Sequence, residues 1–470
     1  MREAGTLIVA VLLSVPAHAQ SAAIVSDLPN APIAASSDLF ALNVQDVAPP
    51  PAKNSAPPPA SENQQLTRLQ AERMAINNNP RVSISKLLAL AQHQVVREAH
   101  AADLPVFNGA VTAEKALDAS RISAGSLTAS RLITHAGAGG GLSQLITDFG
   151  RTHNLVLTQK LQERAANATA LATQEEIVLA TDQAFYDALT AQAVLQVTKQ
   201  TVATRQTTET QVNQMTQNKL RSTLDLSFAD VNLSQSQLLQ LDAQNSADAT
   251  MATLDAVLGL DHPVTYELAD DSTPNNPPPG DYEQLIQTAL AQRPDLQSLA
   301  FGQQSAQKFA RAQWDQLLPS ISALGTVGSV PVRTNQYYTA NWWGAVGVNM
   351  TIPIFNGFLY SSEAKEAVYR SRADAERTRN LRDQIVRDVR TAWLQANTAY
   401  QRIAVTGQLL KQANLALQLA QTRYQLGLSS IVELSQAQLQ QTSAAIDNTN
   451  ALYQYRLGLA TLNYQIGTNP

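Results

Sequence analysis

Cysteine is absent from the 470-residue chain, which excludes disulfides, thiolate metal sites, a thiol nucleophile and a lipid-modified cysteine behind a leader. Aromatic residues (5%) and charged residues (15%) are both scarce, whereas alanine and glutamine are abundant. This composition is typical of long coiled helices rather than of bulky globular cores. The formal net charge of −5 provides no basic surface, so we expect no nucleic-acid partner.

The common motifs of enzyme chemistry are missing as well. The six histidines never form an H-E-x-x-H motif, and His93 and His100, which could share a helix face, have no nearby third ligand. The glycine-rich run at residues 137–141 lacks the Gly-Lys-Ser/Thr of a phosphate-binding loop, and no G-x-S-x-G elbow occurs. A helical secreted hydrolase would need a polar site that the sequence does not show. We therefore expect no enzyme activity, no cofactor and no metal site.

The first 62 residues predict a leader and a lead-in. Residues 1–19 combine an early Arg2, an apolar stretch and a small-x-small end at Ala17 and Ala19, which is the pattern of a cleaved signal peptide. The apolar stretch is too short to span a membrane as a helix, which takes about 20 residues. Residues 20–62 are rich in proline, alanine and serine, so they are predicted to be disordered or extended. A tether or a docking strap is the alternative for this segment.

One strand followed by one very long helix organises the second half of the chain. Residues 342–354 alternate between an apolar face and a small or polar face, which predicts a strand between lipid and water. Because no later segment reaches spanning length as a helix, such a strand in a secreted chain indicates a β-barrel. After Gly357 no proline or glycine occurs before Gly407, and about 65 helical residues give a rod of roughly 100 Å. Its predicted heptad seam consists of Ile385, Val389, Ala392, Ala396, Ala399, Ile403, Thr406, Leu410, Ala413, Leu417, Ala420 and Tyr424.

The chain repeats one plan twice. Pro80 and Pro294 are 214 residues apart, and Ser222 and Ser430 are 208 residues apart, as expected for a duplication in which one hairpin loop differs in length. The predicted organisation is a first copy at 63–260 with a β-hairpin at about 104–149 and a helical tip at 219–223, a linker at 261–280, and a second copy at 281–467 with a β-hairpin at about 318–356 and a helical tip at 425–430.

In this arrangement the sequence resembles the TolC-like outer-membrane efflux proteins, from about residue 66 to residue 467. The resemblance rests on helix-opening x-Pro pairs, strand-to-helix corners and an R-Y-x-x-G tip, which occur in order. These motifs are Asn79-Pro80, Arg293-Pro294, Leu318-Pro319, Thr147-Asp148-Phe149-Gly150-Arg151, Ile352-Pro353-Ile354-Phe355-Asn356-Gly357, Arg423-Tyr424-Gln425-Leu426-Gly427 and Ser430-Ile431-Val432-Glu433-Leu434.

The resemblance implies a mostly α fold with β-strands. Long coiled α-helical hairpins would form a periplasmic tunnel, and four strands from each subunit would contribute to a trimeric, twelve-stranded transmembrane β-barrel. It further implies a homotrimer in the outer membrane that contacts lipid, a periplasmic adaptor protein and an inner-membrane pump. The function implied is a passive conduit for small molecules or proteins in a tripartite efflux or type I secretion system.

The need for more than one copy also follows from the residues themselves, since four strands cannot close a barrel and unpaired strand edges are not tolerated in lipid, whereas the number three is implied by the resemblance.

The alternative function is that of a secreted coiled-coil adhesin or structural scaffold without channel activity. Such a protein would need neither the strands nor the paired offsets.

The resemblance also assigns functional residues. The residues implied for the periplasmic gate are Tyr424, Gly427, Glu433 and Gln436. Glu433 matches an acid that rings the constriction in some members, and Gln436 stands where a second acid would be. One carboxylate per subunit would still favour cations in a narrow bore. Alternatively, Glu433 is a solvated residue that the positive start of its helix stabilises.

Two further groups of residues are candidates for contacts outside the subunit. The tips implied to contact the adaptor comprise Lys219, Leu220, Arg221, Ser222, Leu426, Gly427, Leu428 and Ser429, although bare turns would need no partner. The aromatic residues expected at the membrane–water boundary are Tyr337, Tyr338, Trp342 and Trp343. Ordinary packing within a strand would also explain these aromatic residues.

Overall fold

The computed structural model describes residues 65–114, 121–124, 127–131, 135–262, 266–270, 276–329 and 342–468, so the predicted leader and lead-in lie outside the described residues. The helices are α1 (Arg68–Asn78), α2 (Pro80–Ala101), α3 (Arg151–Gln217), α4 (Thr223–Leu258), α5 (Tyr282–Gln292), α6 (Pro294–Asp315), α7 (Leu359–Gln425) and α8 (Ile431–Ile466). The strands are β1 (Gln65–Leu66), β2 (Val106–Glu114), β3 (Arg121–Ala124), β4 (Leu127–Arg131), β5 (His135–Thr147), β6 (Glu267–Leu268), β7 (Ser320–Ser329) and β8 (Trp343–Thr351).

The helices come in pairs of equal length. α1 and α5 each have 11 residues, α2 and α6 have 22, α3 and α7 have 67, and α4 and α8 have 36. At a rise of about 1.5 Å per residue, α3 and α7 are each roughly 100 Å long. Pro80 and Pro294 occupy the first turns of α2 and α6, where the missing N–H of proline costs nothing.

A pair of residues in the left-handed region turns the chain from each β-hairpin into a long helix. In the first copy these are Phe149 (φ 57°) and Gly150 (φ 109°), and in the second they are Gly357 (φ 65°) and Phe358 (φ 67°). Glycine adopts such φ values without strain, whereas phenylalanine does so only where its surroundings hold it there. The corner thus keeps the same backbone while the order of glycine and phenylalanine is reversed.

Four strands form one antiparallel sheet in the order β2-β5-β7-β8, and β2 and β8 are its edges. The sequence did not predict the separate hairpin of β3 and β4, which comes between β2 and β5 along the chain and forms a two-stranded sheet of its own. β8 ends at Thr351 rather than at the predicted residue 354. Pro353 explains this difference, because proline has no N–H to donate to a neighbouring strand.

The sheet has two unlike faces. The pairing register places large apolar side chains together on one face, namely Phe107, Val111, Leu142, Val327, Val346, Val348 and Met350. The other face carries mainly small or polar residues, among them Asn108, Thr112, Gly139, Gly141, Thr326, Gly328, Ala345, Gly347, Asn349 and Thr351. Such a sheet is suited to separate lipid from water.

The main core lies where α3 packs against the short helices and the end of α4. Phe185 and Leu254 are completely buried there, and Leu189 and Leu258 pack beside them. The linker contributes as well, since β6 pairs with β1 in a parallel arrangement that buries Leu268. The part of the linker around Leu268 therefore packs against the core.

The predicted seam of α7 is confirmed, because each of its residues is buried or half-buried. Ala396 shows the value of small residues in the seam. A Cβ atom built on Gly458 of α8 would lie 3.4 Å from the Cα of Ala396, so the two backbones approach closely. Long helical hairpins and four strands per subunit thus confirm the expected fold class. Every helix in the described part of the chain is too short or too polar to serve as a transmembrane segment.

Candidate functional site at the helical tips

The two helical hairpins end in turns of the same backbone geometry. In the first tip Lys219 has a φ of 62°, and in the second tip Gly427 has a φ of 76° at the equivalent position. The amide of Leu220 donates to the carbonyl of Met215 at 2.8 Å. The amide of Leu428 donates to the carbonyl of Arg423 at the same distance. Both helices therefore end in a left-handed cap closed by a long backward hydrogen bond.

A serine begins the returning helix at each tip. The Ser222 hydroxyl accepts from the amide of Asp225 at 3.1 Å, and the Ser430 hydroxyl accepts from the amide of Glu433 at 3.4 Å. Each acid lies in the first turn, where the positive end of the helix dipole favours a carboxylate. The carboxylate predicted at the gate is thus also part of an ordinary helix start.

Tyr424 is the centre of the second tip. It is only 4% exposed and packs in a cluster with Val212, Ala229, Ala420, Ile431, Leu434 and Ala437. Its hydroxyl is buried without a hydrogen-bond partner. Burial raises the pKa of the phenol above its usual range, and the nearby guanidinium of Arg221 opposes the shift. Tyr424 therefore remains neutral and acts through packing.

Arg221 joins the two hairpins. Its guanidinium carbon lies 4.4 Å from the centre of the Tyr424 ring, and its Nη2 donates to the Tyr424 carbonyl at 2.9 Å. A guanidinium stacked on an aromatic face is attracted by the negative charge of the ring surface. Arg221 was predicted only as part of a tip for an adaptor, and nothing in the sequence links it to a residue 203 positions away.

Glu433 is paired with a cation of its own hairpin. Its Oε1 lies 3.0 Å from Nε of Arg423, and both side chains are about half exposed. Gln436 is also exposed on α8 and carries no charge. The structure thus places Glu433 and Gln436, two of the four predicted gate residues, at the surface of the protomer, and it balances the charge of Glu433 within the subunit.

The ends of the tips expose apolar side chains. Leu220, Leu426 and Leu428 are each about 70% exposed. Lys219 is exposed beside them, while the hydroxyl of Ser429 is buried without a partner. These leucines are available for a contact outside the protomer.

Polar contacts continue between the hairpins above the tips. Asn232 Nδ2 donates to the Ser435 hydroxyl at 2.8 Å, and Gln438 Nε2 donates to the Thr208 hydroxyl at 3.2 Å. The sequence analysis missed these pairs, because residues more than 200 positions apart show no periodicity that connects them. The first hairpin is therefore joined to α8 by hydrogen bonds as well as by the cluster around Tyr424.

The two tryptophans at the start of the returning strand differ in their surroundings. Trp342 comes one residue before β8 and is 69% exposed, whereas the ring of Trp343 packs beside Gly328 on the small-residue face. A Cβ atom at Gly328 would lie 3.3 Å from Cζ2 of Trp343. Tyr337 and Tyr338 lie outside the described residues.

The histidines weighed as metal ligands have other partners. Nδ1 of His93 lies 2.7 Å from Oε1 of Glu163, and Nδ1 of His100 lies 3.6 Å from Oδ2 of Asp103. Across the residues that the structure describes, no group of three potential ligands comes together to hold a metal ion.

Comparisons with known proteins agree with this geometry. The family model described as "Outer membrane efflux protein" matches residues 72–260 and 285–468. The outer membrane protein TolC of Salmonella enteritidis is 24% identical over 341 residues, which cover 70% of this chain and 68% of that protein.

Solved structures of similar fold include CusC, with a TM-score of 0.75 and 18% identity over 86% of this chain and 92% of that chain. The outer membrane protein VceC of Vibrio cholerae has a TM-score of 0.73 and 18% identity over 85% of this chain and 96% of that chain. These likenesses support an efflux channel over a secreted adhesin or scaffold, and they place the protein in the outer membrane with its helices in the periplasm. Because the matched segments cover most of both copies, the chain belongs to the outer membrane efflux protein family.

Proposed function

We propose that three copies of this chain form the outer-membrane duct of a tripartite export system, and that the tips of α7 and α8 form its gate. The duct is passive: an energised inner-membrane pump drives transport, and an adaptor joins the pump to the tips. The cargo, small molecules or proteins, is selected by the pump, since a wide water-filled bore distinguishes solutes poorly.

The observation that carries the proposal is the four-stranded sheet with unlike faces and two open edges. In lipid, each unpaired N–H and C=O group along β2 and β8 would remain without a hydrogen bond. Pairing β8 of one copy with β2 of the next satisfies these groups, and three copies close twelve strands. The apolar face then contacts lipid and the small-residue face lines the bore.

The helices supply the periplasmic part of the duct. α3 and α7 leave the sheet directly through their left-handed corners, so each strand pair continues into a helix of roughly 100 Å. Three copies would surround the bore with helices along this entire length.

The contact between the hairpins supports a gate at the tips. Movement of α7 and α8 away from the first hairpin requires the loss of the Arg221–Tyr424 contact, of the apolar cluster around Tyr424 and of a few neutral hydrogen bonds. Each neutral hydrogen bond contributes only about 0.5–1.5 kcal/mol net, so the closed tips depend mainly on the packing around Tyr424. The exposed leucines at the tips provide the surface that the adaptor binds when it moves α7 and α8.

Channel recordings test this function. The mature protein, extracted in detergent, is expected to have the mass of a trimer and to produce discrete conductance steps in a planar lipid bilayer. A variant with one cysteine on β2 and one on β8 should form disulfides between subunits and give covalent trimers. The natural chain has no cysteine that would interfere. A water-soluble monomer that leaves the bilayer silent would contradict the proposal.

A further inference from the structure

Arg205 is a buried cation for which the described residues offer no counter-charge. It lies in α3, is 6% exposed, and donates from Nη1 to the carbonyl oxygen of Asn232 at 2.9 Å. Its Nε is buried without a hydrogen-bond partner, and Arg205 forms no ion pair with the residues that the structure describes. Burial lowers the pKa of the guanidinium from its usual range. A charge removed from water in this way is unfavourable unless an anion compensates it.

The second copy of the repeat shows that the helical packing does not require a cation here. The equivalent residue, 208 positions later, is Ala413, which is buried in the seam of α7. A long helix of the same length therefore packs with a methyl group at this position. The guanidinium of Arg205 needs an explanation beyond the geometry of the coiled helices.

A cavity of about 210 Å³ lies beside Arg205 and supplies that explanation. Arg205 and Thr204 line it from α3, Gln421 lines it from α7, and Gln438 and Gln441 line it from α8. At about 30 Å³ for each water molecule, the volume equals roughly seven waters, which is ample for a small polyatomic ion.

The hydrogen-bond donors that the lining offers are side-chain amides, since the hydroxyls of Thr201, Thr204 and Thr442 already donate to carbonyls of their own helices. Gln438 uses one amide N–H for the Thr208 hydroxyl and retains a second, because an amide nitrogen carries two hydrogens. A cation beside free amide N–H groups suits an oxygen-rich anion better than an apolar molecule, which would leave these donors unpaired.

We propose that this cavity is a binding site for a small oxyanion, either inorganic phosphate or an organic carboxylate, with Arg205 as its charged ligand. The walls come from α3 of the first hairpin and from α7 and α8 of the second. A bound anion therefore holds the two hairpins together. The site stands on the geometry of the cavity and does not depend on the proposed channel activity.

Calorimetric titration of the full-length protein in detergent tests the site, with phosphate and succinate added separately in chloride buffer. We expect saturable binding of at least one of the two anions. Arg205→Gln should weaken it by about tenfold or more, as the loss of a charged hydrogen-bond donor predicts. Lys199→Gln is the matched control, because Lys199 is exposed on the same helix and its loss removes the same charge. Its binding constant should equal that of the wild type.

A second variant, Gln438→Met, removes the amide on the opposite wall and is expected to weaken binding several-fold while leaving Arg205 in place. It decides the matter if Arg205→Gln fails to assemble. Absence of saturable binding by the wild-type protein would overturn the site. An equal constant in Arg205→Gln, or an unchanged constant in Gln438→Met, would overturn it too. Binding of phosphate alone or of succinate alone identifies which oxyanion the cavity accepts.

Discussion

The two helical tips share one backbone and differ in their side chains. At equivalent positions the first tip has Thr216 and Lys219, whereas the second has Tyr424 and Gly427. The caps are the same, with Ser222 in one and Ser430 in the other. The two copies thus share the turn, while only the second tip has a large buried aromatic residue. The comparison teaches that the turn geometry provides the shape, and that Tyr424 makes the second tip the centre of the contact.

The largest effect is expected from removing that aromatic ring. Tyr424→Ala should destabilise the packing of the tips by about 3–5 kcal/mol, the range for truncating a buried aromatic residue. Hydrogen–deuterium exchange of the amides around residues 420–437 measures this loss. Thr216→Ala, the same truncation in the other tip, should cost about 1 kcal/mol or less because Thr216 fills no core. Equal losses in both variants would remove the distinction between the tips.

Loss of the cation on the ring should come next. Arg221→Ala removes the stacking and the bond to the Tyr424 carbonyl, with an expected cost of about 1–3 kcal/mol to the contact between hairpins. The open time of single channels should rise accordingly. Lys219→Ala is the control, since it removes the same charge two residues away. Identical recordings for both variants would show that overall charge, and not the contact, matters.

An exchange of the left-handed residues gives a smaller effect. Gly427→Lys should destabilise the second tip by about 1–2 kcal/mol, because a side chain at positive φ approaches its own carbonyl. Lys219→Gly should relieve the same strain, and the gain should be smaller because glycine loses more chain entropy on folding. Exchange rates of the tip amides provide both numbers. A stabilised Gly427→Lys variant would contradict the shared-backbone argument.

The smallest effect is expected from Glu433, the acid at the proposed gate. Glu433→Gln should change stability by about 0–1 kcal/mol, since its partner Arg423 and the acid itself are exposed. Divalent-cation block of single channels should change little, because Arg423 already balances the carboxylate. Arg423→Gln releases the carboxylate and should strengthen the block. If Glu433→Gln abolished the divalent-cation block, the Glu433 carboxylates would instead form an unpaired ring of acids. Asp225→Asn, which removes the equivalent acid of the first tip, serves as the control.

The sequence predicted those features that depend on neighbours along the chain. The seam of α7 could be predicted because residues three and four positions apart share a helix face, and the seam residues from Ile385 to Tyr424 are accordingly buried or half-buried. The strand β8 was predicted to extend too far, since alternation continues past Pro353 although the hydrogen-bond ladder does not. The β3–β4 hairpin was missed because its residues do not alternate.

The contacts between hairpins could not be predicted in the same way. Arg221 reaches Tyr424 only because two separate hairpins pack side by side, and the geometry of that packing is not encoded by local spacing. The Arg423–Glu433 pair is different. Its members lie in the same hairpin, ten residues apart across a turn that had been predicted, so it could have been inferred from the tip motif.

The equal helix lengths of the two copies have a consequence for whatever docks at the periplasmic rim. In the proposed trimer, six tips with the same backbone shape would surround the bore. Tips with the side chains of the first copy would alternate with tips that have the side chains of the second copy. A partner protein that recognises the main-chain shape alone would find six equivalent binding sites, whereas one that distinguishes Tyr424 from Thr216 would find three. The same ring of tips is thus able to bind a partner with sixfold symmetry while the gate opens with threefold symmetry.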